Sequence, residues 1–97
     1  EDGVYQVSLQ NLRFQPQEIR IPVGTKVRFV NNDPFPHNVL NLTPAQVGKA
    51  SPGFASPTLA TGETWEFTFT EAGTYDILCT VGGHYLAGMV GKIVVTE

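Results

Sequence analysis

Cysteine, methionine and histidine are all but missing from this chain: it has one Cys, one Met and two His among 97 residues. A single cysteine excludes an internal disulfide, so no bridge holds the fold and none reports the redox compartment. Taken alone, such a residue reads as a small buried hydrophobe. Charge is scarce too, at 15% of residues, and the six Lys and Arg are scattered. A nucleic-acid ligand needs a clustered basic face, so nucleic acid is not expected as a partner. The net charge of -3 is too mild to name any partner. No apolar run approaches the roughly 20 residues that span a bilayer, so no membrane span is expected. No basic-then-apolar leader opens the chain; any signal peptide or anchor is expected to have been removed or never to have existed. Internal repeats and low-complexity tracts are lacking as well.

What is present is a globular pattern. Hydrophobic residues make up 41% of the chain, and its length suits one domain, residues 1–97, with one core. Apolar residues alternate with a period of two, and Gly, Pro, Asn and Asp bound each run. Tyr5, Val7 and Leu9 share one face of a first strand, and Asn11 to Arg13 reads as a bend. Ile19, Ile21 and Val23 form a second set, closed by the Gly24 turn. Val27 and Phe29 form a third. The Asx- and Pro-rich stretch Asn31 to Pro36 is a stiff loop leading to a short strand at His37 and Val39. Residues 41–62 carry so much Pro and Gly that they read as a surface excursion, with one helical turn over residues 44–47. Asn41-Leu42-Thr43 fits a glycosylation acceptor, although chance explains so short a pattern better. Trp65, Phe67 and Phe69 alternate on a further strand. Tyr75, Ile77 and Cys79 share one parity, which points Cys79 inward at a strand end, and Gly91, Ile93 and Val95 close the chain. About seven or eight short strands without a convincing helix predict an all-β, Greek-key β-sandwich.

The scarce residues are not scattered. Cys79, His84 and Met89 fall within eleven residues, in the pattern C-x4-H-x4-M. Singly, each has a plainer explanation: packing for Cys79, a surface position for His84, core filling for Met89, and a backbone-bonded loop position for His37. Together, a thiolate, an imidazole and a thioether on one short return loop suit a single copper ion. Soft sulfur favours Cu(I), and imidazole suits both oxidation states. A second imidazole completes the set, and His37 is the one remaining histidine.

With those residues in view, the sequence resembles the cupredoxins, the small blue copper proteins, over essentially its whole length. Pro36-His37-Asn38-Val39 is similar to the segment that supplies their first histidine. Gly73 to Cys79 is similar to the strand leading to their copper cysteine, and Gly88 to Ile93 to their closing strand. The chain is as short as a plastocyanin, while its loop spacing is closer to the rusticyanin, auracyanin and sulfocyanin branch. The resemblance implies His37, Cys79 and His84 as equatorial ligands, Met89 as axial ligand, and a hydrogen bond from the Asn38 N–H to the Cys79 sulfur.

The resemblance also implies a function: outer-sphere carriage of single electrons by one copper ion cycling between Cu(I) and Cu(II), with no enzymatic reaction. His84 is the expected port, inside an apolar collar of Phe35, Pro36, Val81, Leu86 and Ala87 on which redox partner proteins dock. Tyr75, Phe35 and Val39 are candidates for an apolar wall about the site, with core packing as their main role. Asp33, Glu63 and Asp76 read as solvated surface charges, with steering of a basic partner as the functional alternative. A monomer working outside the cytoplasm, in the periplasm or on the outer face of a membrane, is expected. The alternatives are a copper carrier or chaperone, and a soluble copper domain cut from a larger oxidase or reductase. A lone catalytic domain would need further histidines, a dinuclear centre a second cysteine, and a zinc site seldom takes a thioether.

Overall fold

The computed structural model describes residues 3–97, so the first two positions of the expected 1–97 domain lie outside the described residues. Seven strands form: β1 Val4–Gln10, β2 Arg13–Gln15, β3 Glu18–Pro22, β4 Lys26–Asn31, β5 Thr64–Thr68, β6 Gly73–Leu78 and β7 Val90–Thr96. They make two sheets, ordered β2-β1-β4-β5 and β3-β7-β6. β1 runs parallel to β4 and β3 parallel to β7, while the other neighbours are antiparallel. Parallel partners cannot be joined by a hairpin. The chain therefore crosses to the opposite sheet at β3 before returning to pair β4 with β1.

The alternation of the sequence becomes the interface between the sheets. Val7 and Leu9 of β1, Ile19 and Ile21 of β3, Val27 and Phe29 of β4, and Ile93 and Val95 of β7 are all buried. Phe54 closes one side from the long excursion, stacking on Phe67 at 4.4 Å and meeting Phe69 edge-on at 5.6 Å. Offset and edge-on rings of this kind contribute beyond their buried area.

Local details depart from the sequence-based expectation. The bend at Asn11 is a two-residue hairpin turn, in which Asn11 and Leu12 both have positive φ (59° and 57°). Arg13 then opens β2, which buries Phe14. Tyr5 has the parity of Val7 and Leu9 but is 39% exposed, because burial along β1 begins at Val7. The strand expected from His37 is reduced to isolated bridges from His37 to Leu59 and from Leu40 to Ala55 and Leu78. Pro34 and Pro36 have no N–H to give a ladder, so none leads into this segment. The excursion does hold its one turn, a 3₁₀ helix at Pro44–Gln46. Within Asn41-Leu42-Thr43, Leu42 is buried and the Asn41 amide donates to the Asp76 carbonyl at 2.7 Å, so that amide is already engaged.

Phe29 is fully buried and stacks on Trp65, its β5 partner, at 5.8 Å. Phe29→Ala is therefore expected to lower unfolding stability by about 3–5 kcal/mol. Guanidinium titration checks this: the midpoint should fall with the slope unchanged.

Candidate metal centre

Two segments meet at one end of the sandwich. The first, residues 31–40, follows β4 and has no ladder of its own. Asn31 builds it from below. Its side-chain carbonyl accepts from the Asp33 N–H at 2.9 Å, and its amide donates to the carbonyls of Phe35 at 3.0 Å and Leu59 at 2.8 Å. His37 and Leu59 exchange backbone hydrogen bonds at 3.1 and 2.7 Å. Ser56 accepts from the Val39 N–H at 2.8 Å. Asn31, Asp33, His37 and Ser56 are the buried polar residues among the described ones. All four belong to this segment or brace it, and none has an unsatisfied buried side-chain atom.

The second segment joins β6 to β7. Cys79 follows the end of β6 and is fully buried. Two short 3₁₀ turns over Val81–Ala87 are kinked at Gly82 and Gly83, whose φ values of 56° and 72° are left-handed. Glycine adopts that conformation without the steric cost of a side chain. The reversal brings His84 back toward Cys79. Tyr85 N–H donates to the Cys79 carbonyl at 2.9 Å, Met89 N–H to the His84 carbonyl at 3.2 Å, and Cys79 N–H to the Met89 carbonyl at 3.2 Å. Met89 is fully buried beneath the loop.

Asn38 joins the two segments. Its amide donates to the Thr80 hydroxyl and its side-chain carbonyl accepts from the Thr80 N–H, both at 2.9 Å. The residue after His37 is thus locked to the residue after Cys79. The Asn38 N–H itself points at the Cys79 sulfur at 3.4 Å, as expected.

The result is a compact group of donors. His37 Nδ1 and His84 Nδ1 lie 3.1 Å apart, and each is 3.6 Å from Cys79 Sγ. Each edge of this triangle is shorter than two metal–ligand bonds of about 2.0–2.3 Å, so one ion can reach all three corners. Two imidazoles and one thiolate with a nearby thioether are the donor set of a blue-copper site. The residues present therefore fit one copper ion.

Burial holds the donors in their uncharged forms. Burial pushes the Cys79 thiol up, partly offset by the Asn38 and Val81 N–H groups. Burial and the neighbouring His37 ring push His84 down, against an opposing pull from Asp33. Both shifts disfavour isolated charge in the pocket. Metal binding supplies the compensating charge when the thiol gives up its proton.

Asp33 is where the sequence-based reading fails. It is no solvated surface charge: it is 3% exposed, and its Oδ2 lies 2.6 Å from His37 Nε2. Burial raises its pKa, but hydrogen bonds from His37 and from the Leu12 and Asn11 N–H groups outweigh that and leave it below the ordinary value. Position i−4 to a histidine marks a contact on a helix, not in a loop, so spacing gave no signal here. Glu63 is exposed, as expected, and caps Ala60 N–H at 2.7 Å. Asp76 is half-buried.

Of the expected collar, Phe35, Pro36, Leu86 and Ala87 are exposed, while Val81 is half-buried and packs on the core. Phe35 packs edge-on against His37 at 5.4 Å and lies 5.7 Å from His84, while remaining 38% exposed. Leu86, two residues after His84 in the loop, is 79% exposed. Of the proposed wall, Val39 is core and Tyr75 packs on Phe69 at 5.1 Å, away from the donors in the aromatic cluster. Arg13 has a role that alternation does not signal. Its guanidinium donates to the carbonyls of Leu12 and Ala87, both at 2.9 Å, and so ties the β1–β2 turn to the end of the ligand loop.

The family model for copper binding proteins of the plastocyanin/azurin family matches residues 2–96. A plastocyanin from Sambucus nigra is 41% identical over 90 residues, which is 88% of this chain and 89% of that protein. A solved reduced amicyanin variant superposes with a TM-score of 0.79 at 33% identity, covering 98% of this chain and 84% of the other. A copper-containing nitrite reductase from Thermus scotoductus SA-01 includes the same fold, with a TM-score of 0.78 at 33% identity, but only 22% of that longer chain is covered against 96% of this one. From its strands to its donor cluster, the chain belongs to the copper-binding plastocyanin/azurin family, and it is a blue copper electron carrier rather than an enzyme.

Proposed function

We propose that His37, Cys79, His84 and Met89 would hold one copper ion, and that electrons would enter and leave at the exposed edge of His84. The convergence of three donor atoms from distant segments carries this reading. Bound copper supplies reversible one-electron chemistry between Cu(II) and Cu(I). The chain supplies rigidity. His37 and Cys79 are fully buried and hydrogen-bonded behind the site. A partner cannot reach them, whereas half-buried His84 offers a route out. Fixed donors leave little to rearrange when the charge changes, which keeps transfer fast. The buried sulfur also argues against a copper carrier, since handing over the ion requires a partner's ligand to reach it.

Redox partner proteins dock on the apolar rim of Phe35, Pro36, Leu86 and Ala87, all of which are exposed. An exposed apolar patch suits recognition, and a small one suits a partner that must leave quickly. Among the described residues no helix is long and apolar enough to cross a membrane. We place the carrier outside the cytoplasm, in the periplasm or on the outer face of a membrane, as one domain of residues 1–97 acting as a monomer. The family resemblance supports that placement.

Three substitutions test this reading. Cys79→Ser should abolish the strong thiolate-to-copper band in the visible spectrum of the oxidised protein; a band that survives rules out the thiolate. Met89→Gln should keep copper but lower the reduction potential in voltammetry, because axial ligand identity tunes it; an unchanged potential removes Met89 from the ligand set. Leu86→Asp should slow electron self-exchange between Cu(I) and Cu(II) molecules about tenfold, the equivalent of ~1.4 kcal/mol, with the potential unaltered. NMR line broadening in mixed samples reads that rate, and a wild-type rate would move the docking surface elsewhere.

A further inference from the structure

The carboxylate of Asp33 has no part in the ligand set, yet it is among the most buried polar groups of the described chain. It has three donors around it. Asn11 N–H reaches Oδ1 at 2.7 Å, Leu12 N–H reaches Oδ2 at 3.1 Å, and His37 Nε2 lies 2.6 Å from Oδ2. An ionised carboxylate only accepts, so the proton of the neutral His37 ring must sit on Nε2. The lone pair is then on Nδ1, the atom facing Cys79 and His84.

We propose that Asp33 is a positioning residue for the electron-transfer site: it fixes the tautomer of His37 and places a carboxylate behind that ring, which biases the site toward Cu(II). A carboxylate behind a metal-bound imidazole orients the ring and raises its basicity. A stronger donor and an added negative charge both stabilise the more highly charged ion, so the reduction potential is lower than it would be without the carboxylate. This rests on His37 being a ligand, as proposed above.

A purely structural role makes a different prediction. Asp33 also braces the hairpin turn at Asn11 and Leu12, where two residues other than glycine hold positive φ. If bracing were its whole function, substitution would weaken the fold and both oxidation states alike, and the potential would stay put.

Nitrogen-15 NMR of the wild-type protein, metal-free and loaded with Cu(I), gives the first test. The His37 ring should carry its proton on Nε2 in both forms, and the Nδ1 resonance should shift on Cu(I) addition. Voltammetry of copper-loaded Asp33→Asn and Asp33→Ala gives the second. Either variant should show a raised potential, with a tenfold shift in the Cu(I)/Cu(II) balance reading as about 59 mV, and copper affinity should fall 10–100-fold, in the range of about one to two decades typical of such partners. A proton found on Nδ1 of the metal-free wild type overturns the inference, and so does a wild-type potential in whichever variant folds. An Nδ1 resonance indifferent to Cu(I) would instead overturn the assignment of His37 as a ligand, and the inference with it.

Discussion

The site depends on a pair of hydrogen bonds that involve no metal ligand. Asn38 and Thr80 lie 42 residues apart in sequence and bind each other reciprocally, amide to hydroxyl and N–H to carbonyl. Among the described residues, the one backbone pairing between the two segments near the donors is the isolated Leu40–Leu78 bridge, with reciprocal hydrogen bonds of 2.9 Å, and the Asn38–Thr80 pair extends that link to the residues next to His37 and Cys79. That pair also aims the Asn38 N–H at the sulfur. A donor there stabilises a thiolate that burial otherwise disfavours.

Around that link the interior is polar where it would ordinarily be apolar. Burying Asn31, Asp33, His37 and Ser56 costs desolvation that only complete hydrogen bonding offsets. Each of the four is satisfied, largely by backbone groups of the same segment or by Leu59, Asn11 and Leu12. A network of this kind has few alternative arrangements, and partial loss of it is costly. The segment therefore behaves as a rigid part of the molecule despite its lack of strand structure. The sheets and this polar bracing together hold His37 in place.

The β scaffold and the donors were legible in the sequence for different reasons. Alternation at Val7 and Leu9, at Val27 and Phe29, and at Ile93 and Val95 reports burial directly, because a strand presents every second residue to one face. The donors stood out through rarity and chemistry: Cys79, His84 and Met89 share one loop, and only one histidine remained to join them. The bend at Asn11 is legible too, but its detailed shape depends on long-range geometry. The hairpin turn at Asn11 and Leu12 has no glycine to advertise its positive φ, and its shape is upheld by Asp33 from 22 residues away. The burial of Asp33 could not be inferred from an Asx- and Pro-rich stretch whose composition reads as solvent-exposed loop. Arg13, reaching across to Ala87, lies in a three-residue strand too short for periodicity to register.

The mouth of the ligand loop is closed by strand pairing: Leu78 sits opposite Val90, and the Cys79 N–H meets the Met89 carbonyl immediately above. Residues 80–88, beyond these two rungs, hang outside the register of β6 and β7. Their number can change without sliding either strand. Evolution can thus retune the intervals between cysteine, histidine and methionine, and with them the exposed rim, while the half of the centre contributed by the earlier segment is left undisturbed.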